Sequence, residues 1–190
     1  MDILLHICCG PCLIYPFRRL KEQGFKISGF YYNPNLYPVS EYQRRVEALE
    51  VLNQEFLLEI EYPQHQESDF LQAIDTQENL PGRCEICWRL RLQKTAWQAK
   101  KNGFTAFSTT LLVSPYQNHE LIKQIGWQIG QDTGINFYYE DFRPGFKQAQ
   151  IEAKHKGIYR QKYCGCQYSM LAGRISPSKL GGRIDQPVKA

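Results

Sequence analysis

Five short apolar runs, at 3–9, 25–32, 57–62, 104–112 and 135–142, alternate with segments whose apolar residues recur at helical spacing. That alternation constrains the fold more than any other feature of the chain. Strands separated by helices pair in parallel through crossover connections, so the expected class is α/β: a mostly parallel sheet with helices on both faces. The binding crevice of such a sheet lies beyond the carboxyl ends of its strands. The first run, "ILLHICC", reads as a buried strand by its continuous apolar character. Gly10 makes the turn out of it, and Pro11 suits the first turn of a helix that is kinked or restarted near Pro16 and ended by Gly24. Ser40 is the expected N-cap of a helix over 41–56, where Tyr42, Val46, Leu49, Leu52 and Phe56 share a face. A short helix near Phe70–Ile74, a long one over 83–103 and further helices over 116–134 and 146–157 complete the pattern. With 190 residues and no internal repeat, one catalytic domain over 1–174 is expected, followed by a basic, flexible tail over 175–190.

Seven cysteines need an explanation. No apolar run approaches the roughly 18 residues of a membrane span. Asp2 stands where a secretory signal would be basic, and no cleavage site follows. The chain therefore reads as cytoplasmic, with no membrane partner, in a compartment where structural disulfides are rare. The cysteines are also clustered rather than scattered through the core.

Cys8, Cys9 and Cys12 lie where the first strand turns into a helix, at the crevice end of the sheet. Cys12 falls on the first helical turn, where the helix dipole is expected to favour its thiolate. Cys84 and Cys87 form Cys-x-x-Cys at the start of the long helix, with both sulfurs on one face. That pair alone is compatible with half a zinc site, a dithiol or half an iron–sulfur site. Cys164 and Cys166 enclose a single glycine, Gly165. A disulfide closing so small a ring is strained and easily reduced and re-formed, which suits a redox couple; metal ligands or free thiols are the competing reading.

Charge is unevenly placed. Residues 1–142 hold 13 Lys and Arg against 17 Asp and Glu, a net −4, whereas 143–190 hold 10 against two, a net +8. A basic terminal third on an acidic body suits an anionic partner such as nucleic acid, or simply a solvated tail.

The motifs "HICCGPC", "YYNPNLYPVSEYQRR", "RCEICWRLRL", "FSTTLLVSPYQNH", "DFRPGF" and "YRQKYCGCQYS" occur in this order. Together they resemble the QueH-type epoxyqueuosine reductases over about residues 3–170. The resemblance implies a Rossmann-like α/β fold related to PP-loop and nucleotide-hydrolase domains. It implies reduction of epoxyqueuosine to queuosine at the tRNA wobble position, with a [4Fe–4S] cluster on Cys8, Cys9, Cys84 and Cys87 and a redox-active pair at Cys164 and Cys166. Some relatives hold an additional metal ion near the cluster; Cys12 is its candidate ligand here, with iron or zinc as the ion. No "SGGxDS"-like loop follows the first strand, so adenylation as in PP-loop enzymes is not expected.

The partners implied are a tRNA carrying epoxyqueuosine in its anticodon loop and an unidentified electron donor. Removing the epoxide oxygen takes two electrons and two protons, and Tyr163, Tyr159, His6 and Asp141 are candidate proton donors. For His6 a satisfied place in the core is the competing reading. Arg143, Arg160 and Lys162 are candidate phosphate contacts. Tyr31, Tyr32, Tyr37 and Tyr116 are candidates to stack on an unpaired base, against simple core packing. The hydroxyls of Ser108, Thr109 and Thr110 either bind substrate oxygens or cap the next turn. A rival from another class is a zinc-stabilised, non-catalytic RNA-binding module.

Overall fold

The computed structural model describes residues 1–75 and 82–171; the expected tail over 175–190 lies outside them. Five strands form one all-parallel sheet: β1 (Asp2–His6), β2 (Lys26–Phe30), β3 (Ile60–Glu61), β4 (Ala106–Thr109) and β5 (Asn136–Phe137), in the order β3-β2-β1-β4-β5. The chain builds outward from β1 to β3, then returns to the other side of β1 for β4 and β5. The strand order therefore reverses between β1 and β4, the switch point beyond which open α/β sheets place their binding crevice.

Helices join the strands. α1 (Gly10–Glu22) and α2 (Val39–Phe56) pack together, as do α3 (Glu67–Ile74) and α4 (Gly82–Lys101). α4 lies on β1 and β4 and against α5 (His119–Thr133), while α6 (Phe146–His155) rests on α1. A five-residue helix, α7 (Gln167–Leu171), ends the described chain. Right-handed crossovers place α1 and α2 on one face and α4 and α5 on the other, because the direction of strand addition reverses. The central strand is buried from Ile3 to His6, which its continuous apolar run requires.

Several local expectations change. α1 runs unbroken through Pro16, whose ring leaves the Cys12 carbonyl without its helical donor. Pro38, not Ser40, is the N-cap of α2; its extended backbone starts the helix at Val39, so Ser40 already lies in the first turn, exposed. The last two runs yield shorter strands than their apolar lengths suggest. β4 stops at Thr109 because a 3₁₀ turn over Thr110–Val113 follows, and β5, an edge strand, pairs on one side only.

Gly145 closes a 3₁₀ turn ahead of α6 and lies on the Tyr15 ring of α1; a Cβ there would sit 1.9 Å from that ring. Gly145→Ala should therefore force α6 off α1. The expected loss is about 2 kcal/mol, read as a fall in Tm of roughly 4–8 °C. A Tm within 1 °C of wild type would contradict this close approach.

Candidate functional site

Cys8 and Cys9 leave the end of β1, and Cys9 is the N-cap of α1. The thiols of Cys8, Cys9 and Cys12 are buried, and their sulfurs lie within 4.8 Å of one another. Thr110, the first residue after β4, holds this turn twice: its Oγ1 accepts from the Cys8 N–H at 3.0 Å and donates to Cys8 Sγ at 3.2 Å. The paired ends of β1 and β4 thus meet through one hydroxyl at the switch point.

Cys12 is not the favoured thiolate. Cys8 is held well below the ordinary thiol range, first by donation from Cys12 and Cys9, then by Thr110. Cys12 is raised because its hydrogen is committed to those neighbours, and burial raises Cys9. Within this buried turn Cys8 collects the donors. The dipole of α1 does not overcome this.

The other four cysteines come from two remote segments. Burial pushes Cys84 and Cys87 up to about 12, and each lies within electrostatic reach of Cys164 and Cys166. Cys87 and Cys166 share a small apolar cluster with Phe70 and Ile74 of α3. Cys164 is raised by burial, then by Cys166, with Arg91, Arg45 and Cys8 also acting on it. All seven cysteines are free thiols. Cys8, Cys9 and Cys12 form one close group, and Cys84 and Cys87 lie within electrostatic reach of Cys164 and Cys166. The expected cluster ligands, Cys8, Cys9, Cys84 and Cys87, come from both sides of the junction between them.

Arg91 stands at that junction. It is 2% exposed, its Nε donates to the Cys87 carbonyl at 3.1 Å, and its Nη2 has no partner among the described residues. Burial works against its charge, while Cys87, Cys164, Cys8 and Cys84 support it. A buried cation needs an anion, and the groups around this one are thiols. Soft thiolate donors in number, closed over by a buried guanidinium with a free N–H, fit an anionic iron–sulfur cluster or another thiophilic metal centre.

A second buried arginine holds the Cys-Gly-Cys segment. Arg45 of α2 donates from Nη1 to the Cys164 carbonyl and from Nη2 to the Tyr163 carbonyl, each at 3.2 Å, and from Nε to Glu41 Oε1 at 2.8 Å. Glu41 is fully buried and also accepts from the Tyr159 hydroxyl at 2.6 Å. The Tyr37 N–H donates to the Gly165 carbonyl at 2.9 Å. Gly165 has φ 131°, and a Cβ there would meet Leu36 and the Arg45 guanidinium, so glycine is required twice over.

The four candidate proton donors each have other work. His6 Nε2 faces the Tyr32 carbonyl at 3.1 Å and must donate to it, so Nδ1 accepts from Thr109 Oγ1 at 2.9 Å. Burial lowers its pKa to about 4, and the ring is a neutral, satisfied core histidine. Tyr163 donates to the Tyr37 carbonyl and Tyr159 to Glu41. Asp141 is gripped by Arg143 through Nε at 2.8 Å and Nη2 at 2.6 Å. Burial raises its pKa, but these bonds outweigh that and hold it below the usual carboxylate value, a poor state for an acid.

Arg143 is thus paired, whereas Arg160 and Lys162 are exposed. Tyr31 and Tyr32 are core residues, Tyr37 is half-buried and Tyr116 is exposed. Of the three hydroxyls, Thr109 caps the 3₁₀ turn by accepting from the Leu111 N–H, Thr110 serves Cys8, and Ser108 Oγ is buried without a partner. Sequence reading missed Arg91, Arg45 and Glu41. A signal existed for the first: Cys84, Cys87 and Arg91 follow i, i+3, i+7 spacing on one helical face.

The fold and site define an α/β protein with a thiol-built crevice at the switch point of a parallel sheet. A solved structure described as a predicted subunit of tRNA methyltransferase, from Methanocaldococcus jannaschii, matches it with TM-score 0.53 at 11% identity, over 81% of this chain and 76% of that one. That likeness shows the fold. Among sequences, the epoxyqueuosine reductase QueH of Dehalococcoides mccartyi is 38% identical over 88% of this chain and 91% of its own length. The one from Thermotoga maritima is 36% identical over 94% and 95%. The family described as "Epoxyqueuosine reductase QueH" matches residues 3–172, and the chain belongs to that family of oxidoreductases. Membership displaces the non-catalytic zinc module.

Proposed function

We propose that this chain reduces epoxyqueuosine at the wobble position of tRNA to queuosine, the last step of queuosine synthesis. The reaction takes place in the cytoplasm, with electrons drawn from a donor yet to be identified. No helix among the described residues is long and apolar enough to cross a membrane. The observation that carries the reading is the meeting of both thiol groups around Arg91, in a chain of this family.

In the reaction both C–O bonds of the epoxide break, a C=C bond forms, and the oxygen leaves as water, consuming two electrons and two protons. Oxidation of two thiols to a disulfide releases two electrons and two protons, so the Cys164/Cys166 pair matches this balance without another acid. That agrees with the engagement of Tyr163, Tyr159 and Asp141 elsewhere. When bound, a [4Fe–4S] cluster on Cys8, Cys9, Cys84 and Cys87 supplies single-electron transfer, and an additional iron or zinc ion at Cys12 supplies a Lewis acid. Arg91, buried within electrostatic reach of Cys87, Cys164, Cys8 and Cys84, favours negative charge on the thiols. Arg45 fixes the backbone of the dithiol, and the walls formed by Phe70 and Ile74 exclude water from Cys166.

Iron, zinc and acid-labile sulfide in protein purified without oxygen test the cofactor. About four irons and four sulfides per chain are expected; one zinc without sulfide would overturn the cluster. Nucleoside analysis of epoxyqueuosine-containing tRNA after incubation with a reductant tests the reaction, and recovery of the epoxide alone would refute it.

A further inference from the structure

Away from the thiols, α6 carries a surface that the chemistry above leaves unassigned. Its residues divide by helical spacing. Ala149 and Ala153 enter the core. Glu152 faces α1 and pairs with Arg18 at 2.6 Å, and Lys156 is tied to Glu55 and Glu152. Lys147, Gln150, Ile151 and Lys154, spaced i, i+3, i+4 and i+7, fall on one remaining stripe. With Phe146 and Arg160 they line a groove of about 220 Å³.

The floor of this groove is apolar: Phe146 is half-buried and Ile151 is 39% exposed. Tyr116, 45% exposed, stands edge-on to Phe146 with ring centroids 5.9 Å apart. Lys147, Lys154 and Arg160 make the rim. The neighbouring cations Arg18, Arg143 and Lys156 are neutralised by carboxylates, but these three have no carboxylate partner among the described residues. Arg160 also lies on the segment that leaves α6 and enters the thiol pocket at Cys164.

We propose that this groove is the docking surface for the phosphodiester backbone of the tRNA, an inference that rests on the reaction proposed above. Lys147, Lys154 and Arg160 are its phosphate contacts. Unpaired surface cations gain most from phosphate, because they release the counterions that condense on RNA and break no existing pair. Arg143 would first have to leave Asp141. An apolar floor between cationic rims suits a ribose or base face flanked by phosphates rather than a free inorganic anion. The path from Arg160 to Cys164 leads the bound strand toward the dithiol.

The test is tRNA binding by fluorescence anisotropy across a salt series, using bulk tRNA. The variant carries Lys147→Ala, Lys154→Ala and Arg160→Ala together, and Lys100→Ala with Lys101→Ala, at the far end of α4, is the control. The triple variant should bind roughly 100-fold more weakly near 0.1 M salt, with the slope of log K against log salt flattened by about 2. The control should bind like wild type. A triple variant with wild-type affinity and slope would overturn the groove, even if the wild type converts epoxyqueuosine. Wild-type protein that never converts epoxyqueuosine, while the triple variant loses tRNA binding, would overturn the reaction and leave the docking surface standing.

Discussion

Cys84→Ala and Cys164→Ser proteins, purified side by side without oxygen, are expected to fail in different ways. The first should lose most of its iron and sulfide together with turnover. The second should keep its iron and sulfide and lose turnover by about 10⁴-fold, the scale on which removal of an essential reacting group is felt. The contrast follows from what each segment can do. Cys84 and Cys87 sit on the rigid face of α4, one turn apart, with Arg91 beyond them on the same face. A fixed helical pair holds a metal in place. Cys164 and Cys166 flank a glycine at φ 131° on a segment without regular structure, so their sulfurs can approach and separate. Because Cys164 and Cys166 lie close enough to Cys84 and Cys87 to raise the pKa of both, geometry alone does not say which pair holds and which exchanges. Iron content decides. If Cys164→Ser loses iron as fully as Cys84→Ala, the roles assigned to the two pairs are wrong.

The sequence shows the frame of this site better than its interior. The alternation of apolar runs and helical segments leads directly to the parallel sheet, and the Cys-Cys-Gly-Pro-Cys turn falls at the crevice end of β1 because a buried strand must end there. Strand lengths were less legible. The run at 104–112 carries no charge and reads as one continuous strand, yet after Thr109 it is a 3₁₀ turn; buried turns and buried strands share one composition. The buried charges were hidden for the opposite reason. Glu41 and Arg45 share the helical face of Leu49 and Leu52, but a charged i, i+4 pair in the first turns of a helix reads as a solvated one. They are buried because the segment ending in Cys164 folds back over α2, a contact between residues more than one hundred positions apart. Helical periodicity reports which residues share a face, but not which distant segment will cover it.

Arg45→Met should be among the most destabilising single substitutions in the molecule. The side chain is 2% exposed, and its guanidinium holds three acceptors: Glu41 and the carbonyls of Tyr163 and Cys164. Methionine fills much of the volume but takes the buried partner from Glu41, leaving its carboxylate the Tyr159 hydroxyl and the half-exposed Arg44, and leaves two carbonyls unpaired. Breaking a buried pair from one side costs about 3–5 kcal/mol, or a fall in Tm of roughly 10–15 °C for a domain of this size. The double variant Glu41→Gln with Arg45→Met should recover part of that loss, since no charge is left behind and the Gln can still accept from Tyr159. Thiol accessibility separates this from general loosening. At a temperature where both variants remain folded, alkylation of Cys164 should be faster in each of them than in wild type, because each lacks the two hydrogen bonds that hold the Cys-Gly-Cys backbone. A Tm loss below about 3 °C, or unchanged alkylation in both, would mean that the Cys-Gly-Cys segment holds its place without Arg45. The redox role proposed for Cys164 and Cys166 requires thiols close enough to exchange electrons and free enough to join and part. A buried arginine that grips the backbone and makes no bond to either sulfur meets both conditions, the Cys166 thiol keeping only its own bond to Ser169 Oγ at 3.4 Å.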